Sequence, residues 1–244
     1  MSSSARATAI TDFAHVDGRL ATGLVEISDD RSALDRPGFW IVVATFEGEF
    51  TCARFANVRP APLPVAPWHG PDPRSWTSSL DETAYVAAVS RVRERIAAGE
   101  VYQVNVCRTL SARTRERDLA GLAGRLAAAH PSRYPALVSL PSVGVHVCSA
   151  SPELFIARNG DVVETRPIKG TGRTASDLAV KDHAENVMIV DLMRNDLGRV
   201  AATGSVLVSG LCEIEDYPGL VQLVSTVRAQ LRPGTGWSEI FAAS

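Results

Sequence analysis

The feature that most limits the possible folds is a run of four short strand candidates between residues 135 and 166. The last two flank Asn159-Gly160, which is a strong β-hairpin signal. Short turns join antiparallel strands, whereas parallel strands need a long crossover. Helix candidates lie before and after this run, and no strand–helix–strand alternation is present. The sequence therefore predicts an α+β fold with antiparallel sheets. The four candidates occupy residues 135–140, 143–149, 153–158 and 161–166.

Helical periodicity indicates three helices around this run. The first is predicted to begin at a capping box formed by Ser79 and Glu82 and to end at Gly99. Residues 217–231 fit either a helix or a strand. The other two helices and one more strand are expected at residues 117–130, 177–195 and 204–212.

A proline-rich stretch at residues 59–76 marks a candidate domain boundary. Proline fixes φ and lacks an N–H donor, so such a stretch suits an extended linker. The preceding residues, 1–58, are weakly patterned and β-rich. The sequence thus predicts an N-terminal β-rich segment with its linker at residues 1–76 and a second domain at residues 77–244.

Charge and cysteine content exclude several classes of protein. The 25 basic and 27 acidic residues give a formal net charge of −2, which excludes a nucleic-acid binder driven by net charge. No cysteine pair has zinc-ligand spacing, and no apolar run is long enough to cross a bilayer. The first residues do not resemble a signal peptide. We therefore expect a cytoplasmic protein with reduced thiols, with neither nucleic acid nor membrane as a partner. The cysteines are Cys52, Cys107, Cys148 and Cys212.

Two polar side chains interrupt an alternating apolar segment at residues 101–106. If this segment is a strand, Gln103 and Asn105 share the face opposite Tyr102, Val104 and Val106. A covered face would require partners for both amides. An ordinary solvent-facing side explains the pattern as well.

A carboxylate and a lysine lie on either side of the predicted hairpin. Glu153 comes just before a strand, and Lys169 precedes two nearby glycines, Gly170 and Gly172. The glycines free the local backbone, so its N–H groups could hold an anion. The pattern lacks the spacing of a nucleotide P-loop. An exposed strand-end carboxylate and a solvated turn lysine are the alternatives.

The third predicted helix carries two carboxylates, Asp182 and Glu185, three residues apart on one face. Such a pair can hold one hard cation such as Mg²⁺, which keeps several waters. A solvated helix face fits the spacing equally well.

Five segments, taken together, resemble the chorismate-utilising enzymes, which include anthranilate synthase component I, aminodeoxychorismate synthase component I, isochorismate synthase and salicylate synthase. The resemblance covers residues 79–244, in family order, and is less clear over residues 1–75. It implies two packed antiparallel β-sheets flanked by helices. The five segments are GEVYQVNV (99–106), SASPELFI (149–156), TRPIKGTGR (165–173), KDHAENVMIVDLMRNDLGRVAATGSV (181–206) and IEDYPGLVQLVSTVRAQL (214–231).

One position separates two branches of the family. Aminodeoxychorismate synthases are similar to this chain in having Pro-Ile-Lys-Gly-Thr, where anthranilate synthases carry alanine in place of the lysine. Lys169 therefore resembles the first branch. The implied reaction converts chorismate and ammonia to 4-amino-4-deoxychorismate, with ammonia supplied by a separate glutamine amidotransferase subunit. Anthranilate synthase component I is the alternative within the family.

The resemblance also implies residue roles. Lys169 would attack C2 of chorismate as a neutral amine, and Glu153 would protonate the C4 hydroxyl as it leaves. Glu185 would hold Mg²⁺ against the ring carboxylate, with Asp182 as an outer helper. Four further residues are implied to contact the substrate: Gln103, Gly170, Thr171 and Gln222.

Three departures from the family pattern accompany the resemblance. Gln222 stands where the family usually has histidine, and the segment between Lys169 and Glu185 is shorter than in many relatives. The sequence stops at Ser244, before the glycine-rich and Tyr-Cys-Gly segments that would follow. We therefore expect the C-terminal part of the fold to be missing. A non-catalytic remnant that binds chorismate or the amidotransferase is the rival hypothesis, and a globular domain without a ligand is a third.

Overall fold

The computed structural model of the chain describes residues 11–114 and 119–244. The chain divides into a larger unit, residues 1–66 with 118–244, and a smaller unit, residues 67–117. The described strands are β1 Phe13–Val16, β2 Arg19–Ser28, β3 Phe39–Ala44, β4 Phe50–Pro60, β5 Thr77–Ser78, β6 Leu110–Ser111, β7 Tyr134–Leu140, β8 Val145–Ser151, β9 Leu154–Asn159, β10 Val162–Arg166, β11 Ile168–Gly172, β12 Leu207–Tyr217 and β13 Leu220–Gln230. The described α-helices are α1 Glu82–Ala97, α2 Ala120–Ala129, α3 Val180–Gly198 and α4 Trp237–Ala243.

The first sheet of the larger unit contains six antiparallel strands in the order β3-β4-β2-β1-β7-β8. Strand β1 pairs with β2 on one side and with β7 on the other, so residues 13–60 share a sheet with residues 134–151. The division therefore falls elsewhere than the predicted boundary at residue 76. The physical reason is that one buried apolar face spans both segments: Ala14, Ala21, Ala53, Val138 and Leu140 belong to a single core.

The second sheet is built around β13. This strand pairs with β12 along one edge and with β10 and β11 along the other, and β9 pairs with β10. Residues 221–227 are all buried, so this segment has no amphipathic period that would have distinguished strand from helix. Helices α3 and α4 cover one face of the sheet. Their shared core includes Val163, Val190, Leu197, Val227 and Ile240.

The sequence-based prediction of an α+β fold with antiparallel sheets is confirmed. The predicted hairpin is present, with Gly160 at φ +60° in the turn between β9 and β10. Helix α4, which the sequence analysis did not predict, begins against the N-terminal part of the chain. There the Asp35 carboxylate accepts hydrogen bonds from the backbone N–H groups of Trp237 and Ser238.

The smaller unit differs from two predictions. Helix α1 is capped by Asp81, whose side chain accepts from the Ala84 N–H at 2.8 Å, so the predicted Ser79–Glu82 capping box is wrong. The Ser79 hydroxyl instead accepts from the Thr109 N–H, next to the paired β5 and β6. Residues 101–109 form neither helix nor strand. The alternating pattern at residues 101–106 therefore did not lead to a strand, because this segment has no partner strand among the described residues.

None of the helices in residues 11–114 and 119–244 is both long enough and apolar enough to cross a membrane.

Candidate active site

The predicted lysine lies in a β-bulge. Strand β11 pairs Ile168 with Val224 and Thr171 with Gln222, so two residues of β11 oppose the single residue Leu223 on β13. Those two residues are Lys169 and Gly170. A bulge bends its strand and redirects the side chains at that point. The lysine is therefore presented where the ladder of the sheet is interrupted.

Gly170 is required at the bulge for two reasons. Its φ of +79° lies in the left-handed region, which costs an L-residue with a side chain about 1–2 kcal/mol. A Cβ atom on Gly170 would also lie 2.8 Å from the Cβ of Asp182 on α3, which is closer than real Cβ contacts allow. The helix therefore approaches the bulge as closely as a glycine permits.

Asp182 has a structural role at this contact. Its Oδ2 accepts a hydrogen bond from the Ala179 N–H at 2.8 Å, so it caps the first turn of α3. Its Oδ1 also lies 3.9 Å from Nζ of Lys181, an exposed lysine. The carboxylate is mostly buried by this arrangement. Asp182 therefore lies at the N-terminus of α3, which is the part of a helix most favourable for negative charge.

Glu185, one turn after Asp182, faces the bulge. Its Oε1 lies 3.8 Å from Nζ of Lys169, and the two side chains are 36% and 20% exposed. The ion pair joins α3 to β11 at a partly solvated position. Lysine and carboxylate are therefore brought together across 16 residues of sequence.

Glu153 is held at the start of the same strand, β11. Its Oε1 accepts a hydrogen bond from the Ile168 N–H at 3.0 Å, next to Lys169 in sequence. The residue is exposed, and its N–H donates to the Ser151 hydroxyl at 3.2 Å. The structure thus gathers Glu153, Lys169 and Glu185 around one bulge.

Thr171 and Gln222 belong to a different part of the sheet surface. They are cross-strand partners, and Gln222 also pairs with Glu215 of β12, which makes a row across three strands. Gln222 and Ser225 are three residues apart on β13, so strand alternation directs their side chains to opposite faces. Ser225 contacts α3, and the row therefore lies on the face away from that helix.

The Gln222 side chain is 8% exposed, and its Oε1 has no hydrogen-bond partner among the described residues. It lines a pocket of about 110 Å³ together with Ser132, Pro152 and Tyr217. Buried amides normally have partners, so this one is available to a polar ligand. Gln103, in contrast, lies in the smaller unit, in the irregular segment between α1 and β6, and is half-buried.

A cluster around Glu215 was not predicted from the sequence. Its carboxylate accepts hydrogen bonds from Arg133, Arg166 and the Tyr217 hydroxyl, so it ties β10, β12 and the start of β7 together. Burial opposes ionisation of Glu215, but these hydrogen bonds outweigh it and hold its pKa below the ordinary value of 4.5. Arg166 lies in the recognised TRPIKGTGR segment, but its partner is 49 residues away.

Magnesium has one suitable carboxylate here. The described residues contain no group of three or more His, Cys, Asp or Glu side chains able to hold a metal. Mg²⁺ is commonly held by only one or two carboxylates, with waters and substrate oxygens completing its shell. Glu185 fits such a ligand. Asp182 does not, because its carboxylate caps α3.

Comparison with known proteins shows the family of the chain. Residues 46–244 match the family model for chorismate binding enzymes. The chain belongs to this family.

Curated relatives in the family have two different names. An anthranilate synthase component 1 of Streptomyces coelicolor is 41% identical over 173 residues, covering 66% of this chain and 34% of that protein. An aminodeoxychorismate synthase component 1 of Escherichia coli is 37% identical over 181 residues, covering 69% and 39%. An aminodeoxychorismate synthase of Streptomyces griseus is 36% identical over 223 residues, covering 86% and 29%. The chain thus spans about a third of the length of these relatives.

Solved structures share the fold. A Bacillus anthracis protein described as a 2,3-dihydroxybenzoate-specific isochorismate synthase has a TM-score of 0.70 at 19% identity, covering 96% of this chain and 72% of that one. Anthranilate synthase component I of Streptococcus pneumoniae has a TM-score of 0.65 at 21% identity, covering 99% and 63%. At these identities the likeness concerns the fold alone.

The close approach of α3 to the bulge predicts an unequal effect of two glycine substitutions. Gly160→Ala, at φ +60° with open space around its Cβ position, should cost only the left-handed penalty of about 1–2 kcal/mol. Gly170→Ala should cost that penalty plus about 1–3 kcal/mol for overpacking against Asp182. Urea unfolding of both variants measures the difference. Equal losses would contradict the tight contact.

The Glu215 cluster predicts acid sensitivity. Because the folded-state pKa of Glu215 lies below its ordinary value of 4.5, the ionised form stabilises the fold above that pH. This contribution is lost as the pH falls through the lowered pKa. The free energy of unfolding should therefore fall less steeply below pH 4.5 in Glu215→Gln than in the wild type. Glu47→Gln, at an exposed turn, is the control and should keep the wild-type slope. Identical slopes in all three proteins would contradict the prediction.

Proposed function

We propose that this chain carries the chorismate-amination chemistry of an aminodeoxychorismate synthase component I, with Lys169 as the covalent nucleophile. The observation that supports this most strongly is the placement of a lysine in the β11 bulge, 3.8 Å from the carboxylate of Glu185 and next in sequence to Ile168, whose N–H holds Glu153. A lysine amine can become neutral and attack carbon, which an arginine in proteins does not do. The aminodeoxychorismate synthase names among the relatives agree with this branch.

The first step would be a substitution on the chorismate ring. The neutral Lys169 Nζ forms a bond to C2, the two ring double bonds shift, and the C4–O bond breaks. The hydroxyl is a poor leaving group, so Glu153 gives it a proton and it leaves as water. Glu153 suits this role because its hydrogen bond holds it at Ile168, the neighbour of Lys169 in sequence, while the residue remains exposed to a ligand.

The second step would return the enzyme to its starting state. Ammonia forms a bond to C4, the double bonds shift back, and the C2–Nζ bond breaks. The protons that ammonia loses return to Lys169 or Glu153, so the enzyme is regenerated. The product is 4-amino-4-deoxychorismate.

Substrate contacts are assigned from the same residues. The Gly170–Thr171 turn offers backbone N–H groups to a carboxylate of the chorismate dianion. Gln222 lines a separate pocket on the sheet face away from α3, so its contact with the same substrate, implied by the resemblance, stays a prediction. The contact of Gln103 with the substrate, implied by the resemblance, stays a prediction. Glu185 would hold Mg²⁺, which when bound supplies positive charge for the ring carboxylate.

The proposed reaction implies a partner subunit, a biosynthetic pathway and a cellular compartment. We assign ammonia supply to a glutamine amidotransferase subunit, consistent with relatives named as component 1. The product would serve p-aminobenzoate and folate synthesis or a p-aminobenzoate-derived metabolite. We place the protein in the cytoplasm.

Anthranilate synthase component I is the second candidate. The 41% identity to the Streptomyces coelicolor protein favours it. Its chemistry needs no lysine at position 169, so the two candidates differ in what they require of that side chain. A non-catalytic chain that binds chorismate or the amidotransferase subunit is the third outcome.

Product analysis distinguishes these candidates. We expect the purified chain, given chorismate, Mg²⁺ and ammonium, to form 4-amino-4-deoxychorismate, and Lys169→Ala to abolish it. Lys181→Ala is the matched control, because Lys181 is the only other lysine and its side chain is 84% exposed. This variant should keep wild-type turnover. Peptide mass spectrometry of the quenched reaction should locate the adduct on Lys169.

Other outcomes point to the other candidates. Anthranilate as the product, with Lys169→Ala still active, would indicate the second candidate. Chorismate binding without turnover in the wild type would indicate the third.

A further inference from the structure

Asn186, next to Glu185 on α3, is a fully buried polar residue with every contact directed at the second sheet. Its side chain is 0% exposed. Its Nδ2 donates to the Leu223 carbonyl of β13 at 3.0 Å, and its Oδ1 accepts from the Ser225 hydroxyl. A buried amide with both ends paired fixes one position along the strand, because a shift in either direction leaves polar groups without partners.

The same cluster extends to β12. Cys212 has a φ of +53°, unusual for a residue with a side chain, and lies where the register between Gly210 and Glu213 shifts. Its N–H donates to the Ser225 hydroxyl at 2.9 Å, and its Sγ lies 3.7 Å from Oδ1 of Asn186. Helix α3 is therefore linked through Asn186 to both β12 and β13.

The contact with Leu223 connects this cluster to the site. Leu223 is the residue of β13 that opposes Lys169 and Gly170 in the β11 bulge. The amide of Asn186 thus holds α3 at the point of β13 that faces the bulge. Glu185, the preceding residue, meets Lys169 from the same helix turn.

We propose that Asn186 is a positioning residue that fixes α3 against β13 and thereby holds Glu185 at the Lys169 amine. The geometry of the Lys169–Glu185 pair does not depend on the reaction. The importance of this geometry for turnover rests on the proposed function. The Gly170–Asp182 contact limits how near the helix can come, but contact alone does not prevent sliding. The hydrogen bonds of Asn186 supply the missing restraint along the strand.

Zero-length carbodiimide crosslinking of the purified chain tests this. The reagent joins an amine to a carboxylate only when the two meet, and the chain has two lysines. Lys169–Glu185, at 3.8 Å, links β11 to α3, whereas Lys181–Asp182, at 3.9 Å, lies within α3. The ratio of the two crosslinks, read by peptide mass spectrometry, reports the placement of the helix. Overall stability alone does not move this ratio.

We expect Asn186→Ala to lower the Lys169–Glu185 to Lys181–Asp182 ratio by about threefold or more, because both buried hydrogen bonds of the amide are lost. Ser225→Ala, which removes one of them, should lower it less. Asn195→Ala, at an exposed position of the same helix, is the control and should leave it unchanged. If Asn186→Ala does not fold, Ser225→Ala decides the test.

An unchanged ratio in a folded Asn186→Ala or Ser225→Ala variant would overturn the proposal. The same fall in Asn195→Ala would overturn it as well. The measurement needs no turnover, so a wild-type chain that crosslinks as expected but does not aminate chorismate would refute the proposed function and leave the positioning role intact.

Discussion

Strand β13 is hydrogen-bonded along both edges, and a bulge on each edge opposes the stretch from Leu223 to Ser225. Most of what is distinctive in the site depends on this short stretch. The bulge on β11 takes Lys169 out of the regular ladder, and the one on β12 turns the Cys212 N–H toward Ser225. Both bulges use left-handed backbone, at Gly170 and at Cys212. Asn186 binds between them, so the two irregularities and the helix support one another.

Arginine and lysine have different roles in this chain, which agrees with the proposal of a lysine nucleophile. Two of the 25 basic residues are lysines, and the rest are arginines. Arginine forms the ion pairs that tie the second sheet together, as Arg133 and Arg166 do around Glu215. Its guanidinium suits this work because it is permanently charged and donates in a fixed geometry. Lys169 instead lies in the β11 bulge, where its amine is 3.8 Å from the carboxylate of Glu185.

Short-range signals predicted much of this molecule. The Asn159-Gly160 hairpin, the strands around it and helix α3 follow from local periodicity and turn chemistry, and all are present. The sequence also placed Glu153, Lys169 and Glu185 in one site through the family resemblance, and the structure gathers them around one bulge. Asp182 shows the limit of prediction from sequence. A carboxylate at the start of a helix can be a helix cap or a metal ligand, and the sequence alone does not distinguish the two.

Features that depend on distant partners were not predictable. Glu215 and Asn186 appear as ordinary polar residues until β12, α3 and β13 are assembled around them. Strand β13 lacks a period because both of its faces are covered, and residues 101–106 alternate without obtaining a partner strand. The expected single substrate surface is also divided, because Thr171 and Gln222 lie on the sheet face away from α3.

Recognition of chorismate by the residues around the β11 bulge is tested most directly by thermal unfolding of the purified chain, with and without chorismate and Mg²⁺. Ligand at about 100 times its Kd stabilises the native state by about 2.7 kcal/mol. For a chain of this size that corresponds to a rise in Tm of roughly 5–10 °C. We predict a cooperative transition with a rise of this size in the wild type and a smaller rise in Lys169→Ala. A cooperative transition whose Tm does not change at any chorismate concentration would contradict a chorismate site at Lys169.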